Sequence, residues 1–280
     1  MPAPQTERDI KASGVRLRVM DAGSGPPLLL LHGMFVDHRT WDSVSQELSD
    51  QFRVVSVDLP GFGESEKPPD SRFPYTIEGM GEAIADLYAG LGLGRAALVG
   101  HGLGGAVAAA VASTHPELVS HLVLVNSMSY PAEFDIRRRA AMMPLLGSFV
   151  FKQLLGRNAF RSYFNNFMLS ERGAIAQSRI DDYYYTFSEP AARASAFATL
   201  RATADTRALI AHIARVSSPT LVVWGRHDRV YPAAHGQMLA RQLPGQSFHL
   251  LDSGHLPQEE RPTAVADLIG SFVRDQRASG

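Results

Sequence analysis

The stretch Leu98-Val99-Gly100-His101-Gly102-Leu103-Gly104-Gly105 decides how this chain is read. An apolar run ends there, and an Ala/Val-rich helical segment begins at once after it. Strand, glycine-rich turn and helix in that order are the layout of a nucleophile elbow, whose pattern is G-x-S-x-G. Here the pattern reads G-H-G-L-G, so the nucleophile position is Gly102. Glycine has no side chain with which to form an acyl-enzyme. No second G-x-S-x-G occurs in the chain. Ser113 is expected well along the following helix, and Ser127 follows a different strand, so neither substitutes for it.

Outward from the elbow, short apolar runs alternate with helical patterns. Val15 to Met20 alternates, as an early antiparallel strand does. Leu28 to Leu31 and Val54 to Val57 are continuous apolar runs, as expected of strands buried on both faces. Further strands are expected at Ala96–Gly100, Leu122–Asn126, Thr220–Trp224 and Ser247–Leu251. Helices are expected over Thr40–Leu48, Ile77–Leu93, Leu103–Ser113 and Ala233–Gln242, with a last one opened by Pro262. This alternation predicts a mostly parallel sheet flanked by helices, an α/β architecture. Residues 129–216 break it with helical patterning and no convincing strand. The core is therefore expected to comprise residues 1–128 and 217–280, with 129–216 as an inserted helical lid. The insert is rich in apolar residues, from Met142, Met143 and Leu145 through Phe149 to Phe167. Most should pack it onto the core, with Tyr163, Phe164 and Tyr183 to Tyr185 left to line a pocket.

Composition narrows the function. Lys and Arg total 27 against 28 Asp and Glu, a balance that gives no reason to expect nucleic acid or an anionic membrane. The absence of cysteine excludes disulfides, thiolate nucleophiles and zinc–thiolate sites. Residues 1–14 are polar and mixed in charge, unlike a secretory signal. No apolar run approaches the ~20 residues of a membrane helix. A cytoplasmic protein without metal or organic cofactor is expected, acting on a small molecule, with homo-oligomer formation left open.

In open parallel sheets ligands bind beyond the carboxyl ends of the strands. Asp228 lies just past the strand ending at Trp224, and His255 in the loop after Leu251. Nucleophile position, acid and histidine thus follow in the chain order of a Ser–Asp–His triad. Such an Asp accepts from His Nδ1–H, fixing the tautomer and aiming Nε2 at the reacting centre.

These motifs together resemble the α/β-hydrolase superfamily from Val15 to the last helix. His32-Gly33 matches its oxyanion loop, and Asp58-Leu59-Pro60-Gly61-Phe62-Gly63-Glu64-Ser65 its D-x-P-G-x-G-x-S loop. Gly225–Asp228 matches the acid loop, and Gly254-His255 through Glu260 and Pro262 the histidine loop. Residues 129–216 fall where family members carry a cap domain. The resemblance implies Asp228 as acid, His255 as base, and backbone N–H groups of Met34 and Leu103 as oxyanion hole, with Phe35 as the alternative to Met34. Phe35, His101, Tyr163 and Phe164 are the candidate substrate contacts. His101 fills the variable position of the elbow and is also read as packed or hydrogen-bonded. His32 and His227 are read as structural. The implied function is an enzyme acting on a small, largely apolar ester or carbonyl compound, with covalent hydrolysis suppressed by Gly102. Two alternatives stand. One is a native non-hydrolytic or water-activating enzyme using Asp228–His255 as general base, of lyase, cyclase or cofactor-free oxygenase type. The other is a ligand-binding module without turnover.

Overall fold

Pro27–Leu31 forms β3, near the middle of an eight-stranded sheet. Its leucines divide by the two-residue period of a strand. Leu29 and Leu31 enter one apolar core, Leu28 and Leu30 the other. A computed structural model describes residues 5–130, 156–245 and 247–278. The other strands are β1 Gln5–Ala12, β2 Val15–Ala22, β4 Arg53–Val57, β5 Ala96–His101, β6 Val119–Val125, β7 Thr220–Gly225 and β8 Ser247–Leu251. Their spatial order is β1-β2-β4-β3-β5-β6-β7-β8. Pairing is antiparallel from β1 to β4 and parallel from there on.

Helices cover both faces. On one side α1 (Asp42–Leu48) and the last helix, α10 (Pro262–Ala278), bury Val44, Leu48, Val265 and Ile269 against Leu28, Leu30 and Val54. On the other lie α2 (Ile77–Leu91) and α3 (Leu103–Thr114). Every residue of α3 from Leu103 to Ala112 is buried. A helix apolar on all sides belongs inside a protein, and its alanines and glycines let it sit close to the sheet. The expected start of α1 differs. His38–Trp41 forms a single 3-10 turn, because the Asp37 side chain caps it by accepting from Arg39 N–H; α1 then begins at Asp42. Helix α2 stops at Leu91, short of Leu93, where Gly92 takes a left-handed φ of 61°.

Between β6 and β7 the described residues contain only helical elements. These are α4 (Arg157–Tyr163) with a π-helical turn over Phe164–Met168, α5 (Gln177–Ser188), α6 (Pro190–Ala202) and α7 (Arg207–Ile213). The apolar run from Met142 to Leu155 lies outside the described residues. Helix α8 (Ala233–Gln242) and the short turn α9 (Pro257–Glu260) complete the set.

Strand β1 is absent from the reading of the sequence. Its residues are polar and mostly exposed, so no apolar alternation marks it. It is held instead by the hairpin at Ser13-Gly14, both with positive φ (45° and 77°), the backbone of a two-residue type I′ turn. Along the ladder with β2, ion pairs from Arg16 and Arg18 to Asp9 add to the apolar contacts that Ile10 and Ala12 make with the core.

Candidate active site

Gly102 sits between β5 and α3 with φ 54° and ψ −115°, a backbone that side-chain-bearing residues rarely adopt. Its neighbours are glycines for a different reason. A Cβ at Gly100 would lie 2.3 Å from Gly104 O, one at Gly104 2.5 Å from His32 O, and one at Gly105 2.4 Å from Ser127 Oγ. Those three positions have no room for a side chain. Gly102 has room: a Cβ there would meet Gly33 Cα at 3.4 Å and His255 Nε2 at 3.6 Å. The elbow keeps the space of a nucleophile and its positive-φ backbone, which glycine adopts without strain, but not the nucleophile.

Asp228 and His255 meet beside it. His255 Nδ1 lies 2.8 Å from Asp228 Oδ2, and both residues are buried. Asp228 is clamped within its own loop, where Oδ1 accepts from Val230 N–H (2.7 Å) and Tyr231 N–H (2.9 Å). A carboxylate accepting from backbone amides and imidazole holds the ring in one orientation. The His255 ring packs against the rings of His101 (4.8 Å between centroids) and Tyr231 (5.3 Å). The loop carrying it is held by Gly254 N–H donating to Glu260 Oε1 at 2.8 Å and by His255 N–H donating to Met168 O at 2.7 Å. The second bond ties the histidine loop to the helical stretch between β6 and β7.

The loop after β3 is braced from below. His32 Nδ1–H donates to Gly33 O at 2.7 Å while Nε2 accepts from Leu59 N–H at 3.0 Å, so the ring is neutral and its tautomer fixed. Burial pushes its pKa below the usual histidine range, although Asp58 and the Gly33 carbonyl pull upward. Gly104 N–H donates to His32 O at 3.1 Å, joining this loop to the elbow. Asp58 is fully buried and accepts from His38 N–H (2.7 Å), His38 Nδ1–H (2.9 Å) and Glu64 N–H (2.7 Å). Burial opposes its charge, but these bonds and the histidines beside it hold the carboxyl below its ordinary range. Asp37, His38 and Asp58 bring possible ligand atoms within 4.8 Å of one another. They are already committed, Asp37 to Arg39 and Asp58 to His38 and the backbone, and serve as a brace for two loops.

The remaining candidates separate by burial. Leu103 opens α3, where backbone N–H groups lack intrahelical partners. Met34 and Phe35 are partly buried, and Phe35 carries a positive φ of 68°. Phe35 packs edge-on against Tyr163 (5.7 Å) and Phe187 (5.5 Å). A cleft beside it is lined by Phe35, Val36, Phe62, Tyr183 and Phe187, with Thr186 as a polar group. Phe164 is fully buried, stacked on Phe160 at 4.8 Å. His101 corrects the expectation of a substrate contact. It is fully buried and its Nε2–H donates to His255 O at 2.8 Å, so it supports the histidine loop from beneath. Burial, with the nearby His255, drives its pKa well below the usual value. Tyr185, expected in the pocket lining, is 77% exposed. His227 is half-exposed and pairs with Asp252 at 2.7 Å, a surface role. Asn126, bonded to Asp228, was not anticipated. Its signal is slight: the first polar residue after the apolar run Leu122–Val125, followed at once by Ser127. It is bonded to Asp228 through its side-chain amide.

A mostly parallel sheet, a sharp positive-φ elbow between β5 and α3, and an Asp–His pair from the ends of β7 and β8 define the α/β-hydrolase class. The chain belongs to the alpha/beta hydrolase fold family, whose model matches residues 26–262. It is 30% identical to 2-hydroxymuconate semialdehyde hydrolase of Pseudomonas sp. (strain CF600), over 99% of this chain and 97% of that protein. It is 28% identical to epoxide hydrolase 4 of Mus musculus, over 95% of this chain and 79% of that protein. Among solved structures it is similar to the serine hydrolase CarC, involved in carbazole degradation. The TM-score is 0.81 and the identity 25%, covering 97% of this chain and 99% of that one. Relatives of this chain are thus hydrolases. Among the described residues no helix is long and apolar enough to cross a membrane.

Proposed function

We propose that this protein hydrolyses a small, largely apolar ester or carbonyl compound without a covalent intermediate. In this reading the Asp228–His255 pair is a general base for water held above Gly102. The observation that carries it is the 3.6 Å between His255 Nε2 and the Cβ position of Gly102. That separation puts the base next to the ground a serine hydroxyl would otherwise hold.

The steps follow from the geometry. Asp228 accepts from Nδ1–H, so the free lone pair of His255 is on Nε2. Water on that side gives its proton to Nε2 as its oxygen attacks the substrate carbonyl carbon. Negative charge on the carbonyl oxygen is met by the N–H groups of Leu103 and Met34 at the start of α3 and the loop after β3. Collapse expels the leaving group, which takes the proton back from Nε2. Triads lacking one member keep about 10³–10⁴-fold catalysis over water through the oxyanion hole and binding alone, and a general base acting on water adds to that about 10²–10⁴-fold. Residues 129–216 act as a cap over a core formed by 1–128 and 217–280, and the aromatic lining around Phe35 selects an apolar substrate. The hydrolase names of the relatives support the reaction class.

The test is steady-state hydrolysis of short-chain p-nitrophenyl esters. The native chain turns over, and His255→Ala falls at least about 100-fold, to the residual rate that the oxyanion hole and binding give. Equal rates for the two overturn the base role.

A further inference from the structure

We infer that Asn126 is the positioning residue that locks the acid loop and the histidine loop into one unit. The inference rests on the base role of His255 proposed above. Asn126 follows β6 and is fully buried. Its Oδ1 accepts from Gly225 N–H at 3.0 Å. Its Nδ2 donates to Asp228 Oδ2 at 2.6 Å and to Gly254 O at 3.3 Å. Gly225 opens the acid loop, and Gly254 immediately precedes His255. One carboxamide therefore touches both loops, and it shares the carboxylate oxygen that receives His255 Nδ1–H. The amide orientation is forced: an N–H needs the oxygen, and a carboxylate and a carbonyl need the NH2.

Three features argue for a role beyond filling space. Asp228 Oδ1 is held only by the backbone of its own loop, so those bonds do not register it against His255. Backbone bonds from Arg226 N–H to Leu251 O (2.8 Å) and from His227 N–H to Ser253 O (2.9 Å) align the two loops, and Asn126 carries that alignment to the carboxylate itself through its bond to Oδ2. Second, the residue holds a positive φ of 42°, a conformation that glycine adopts without strain. A glycine would relax the backbone but discard the three side-chain bonds. Third, glycine at 102 leaves His255 without a covalently tethered hydroxyl, so beyond ring packing against His101 and Tyr231 the imidazole is aligned by its bond to Asp228. A misplacement of about 1 Å at such a pair costs on the order of 100-fold in rate.

The experiment compares Asn126→Gly and Asn126→Asp with the native chain. Asn126→Gly removes the bonds while accepting the backbone, so it is expected to fold. Asn126→Asp keeps shape and the acceptor for Gly225 N–H, but it has at most one proton for the two acceptors Asp228 Oδ2 and Gly254 O and sets a second carboxyl group against Asp228. Both are expected to lower kcat for a p-nitrophenyl ester about 10- to 100-fold, with KM within about twofold. The His255 Nδ1 proton resonance, sharp in the native chain, should broaden in both. An unchanged kcat together with an unchanged resonance, even with a lower unfolding midpoint, would make Asn126 merely structural and overturn the inference. If the native chain turns over no ester, the base role fails, while the resonance still decides the positioning role: broadening supports it, and no change defeats it.

Discussion

Replacing Gly102 by serine asks most of the site. The new Cβ enters with 3.4 Å to Gly33 Cα and 3.6 Å to His255 Nε2, ordinary contact distances. The hydroxyl, one bond further on, reaches hydrogen-bonding range of Nε2 without moving the backbone. The cost is conformational, because at φ 54° and ψ −115° a side chain is strained by about 1–3 kcal/mol. For a chain of this size that is a fall of about 2–5 °C in Tm. The Ser–His hydrogen bond offsets about 1 kcal/mol of it. Gly102→Ala carries the strain without the hydroxyl, so it should melt lowest of the three. Loss of a serine nucleophile costs a serine protease about 10⁶ in kcat, which bounds the gain in Gly102→Ser from above; at least 10³ is expected. The assay is p-nitrophenyl butyrate hydrolysis beside thermal melts for native, Ser and Ala proteins. A folded Gly102→Ser with no gain, or a gain that survives His255→Ala, would refute the geometry.

Two further outcomes follow from burial and close approach. Glu259 on α9 accepts from Tyr183 OH on α5, and burial, outweighing that bond, pushes its pKa up to about 7 from 4.5. The folded state therefore holds this proton more tightly than the unfolded chain. Its contribution is complete below pH 4.5 and is lost as pH rises to 7, at most about 3 kcal/mol. Glu259→Gln should flatten that slope and raise stability at pH 8, measured by urea unfolding at pH 5 and 8; an unchanged slope contradicts it. Gly225→Ala would place a Cβ 1.8 Å from Gly254 O, forcing the acid and histidine loops apart. Ester turnover should fall at least tenfold, as expected for displaced catalytic groups, and unchanged turnover would contradict the close approach.

What the sequence carried was the part written in period and punctuation. Apolar runs at Leu28–Leu31 and Val54–Val57 mark strands buried on two faces, and the bounds of α8 and β8 match the expected ones. The Asp–His pair was legible because chemistry fixes which residue types must meet beyond strand ends. Burial on the far side of the elbow was not: His101 reads the same whether it faces a substrate or the underside of His255. Strand β1 is not legible because only Ile10 and Ala12 at its end face the core, while a two-residue turn, a backbone ladder and cross-strand ion pairs hold the polar remainder. Asn126 escaped because its role is a three-way hydrogen bond between residues about a hundred or more positions away. No local pattern encodes such a bond.

The account stands on water, not a side chain, attacking the substrate. Rapid mixing of the native chain with p-nitrophenyl butyrate, followed by intact-mass measurement, tests this most directly. Product release should be linear from the first turnover, with no acyl increment on the protein. A burst of one p-nitrophenolate per chain, with a matching increment in mass, would contradict it.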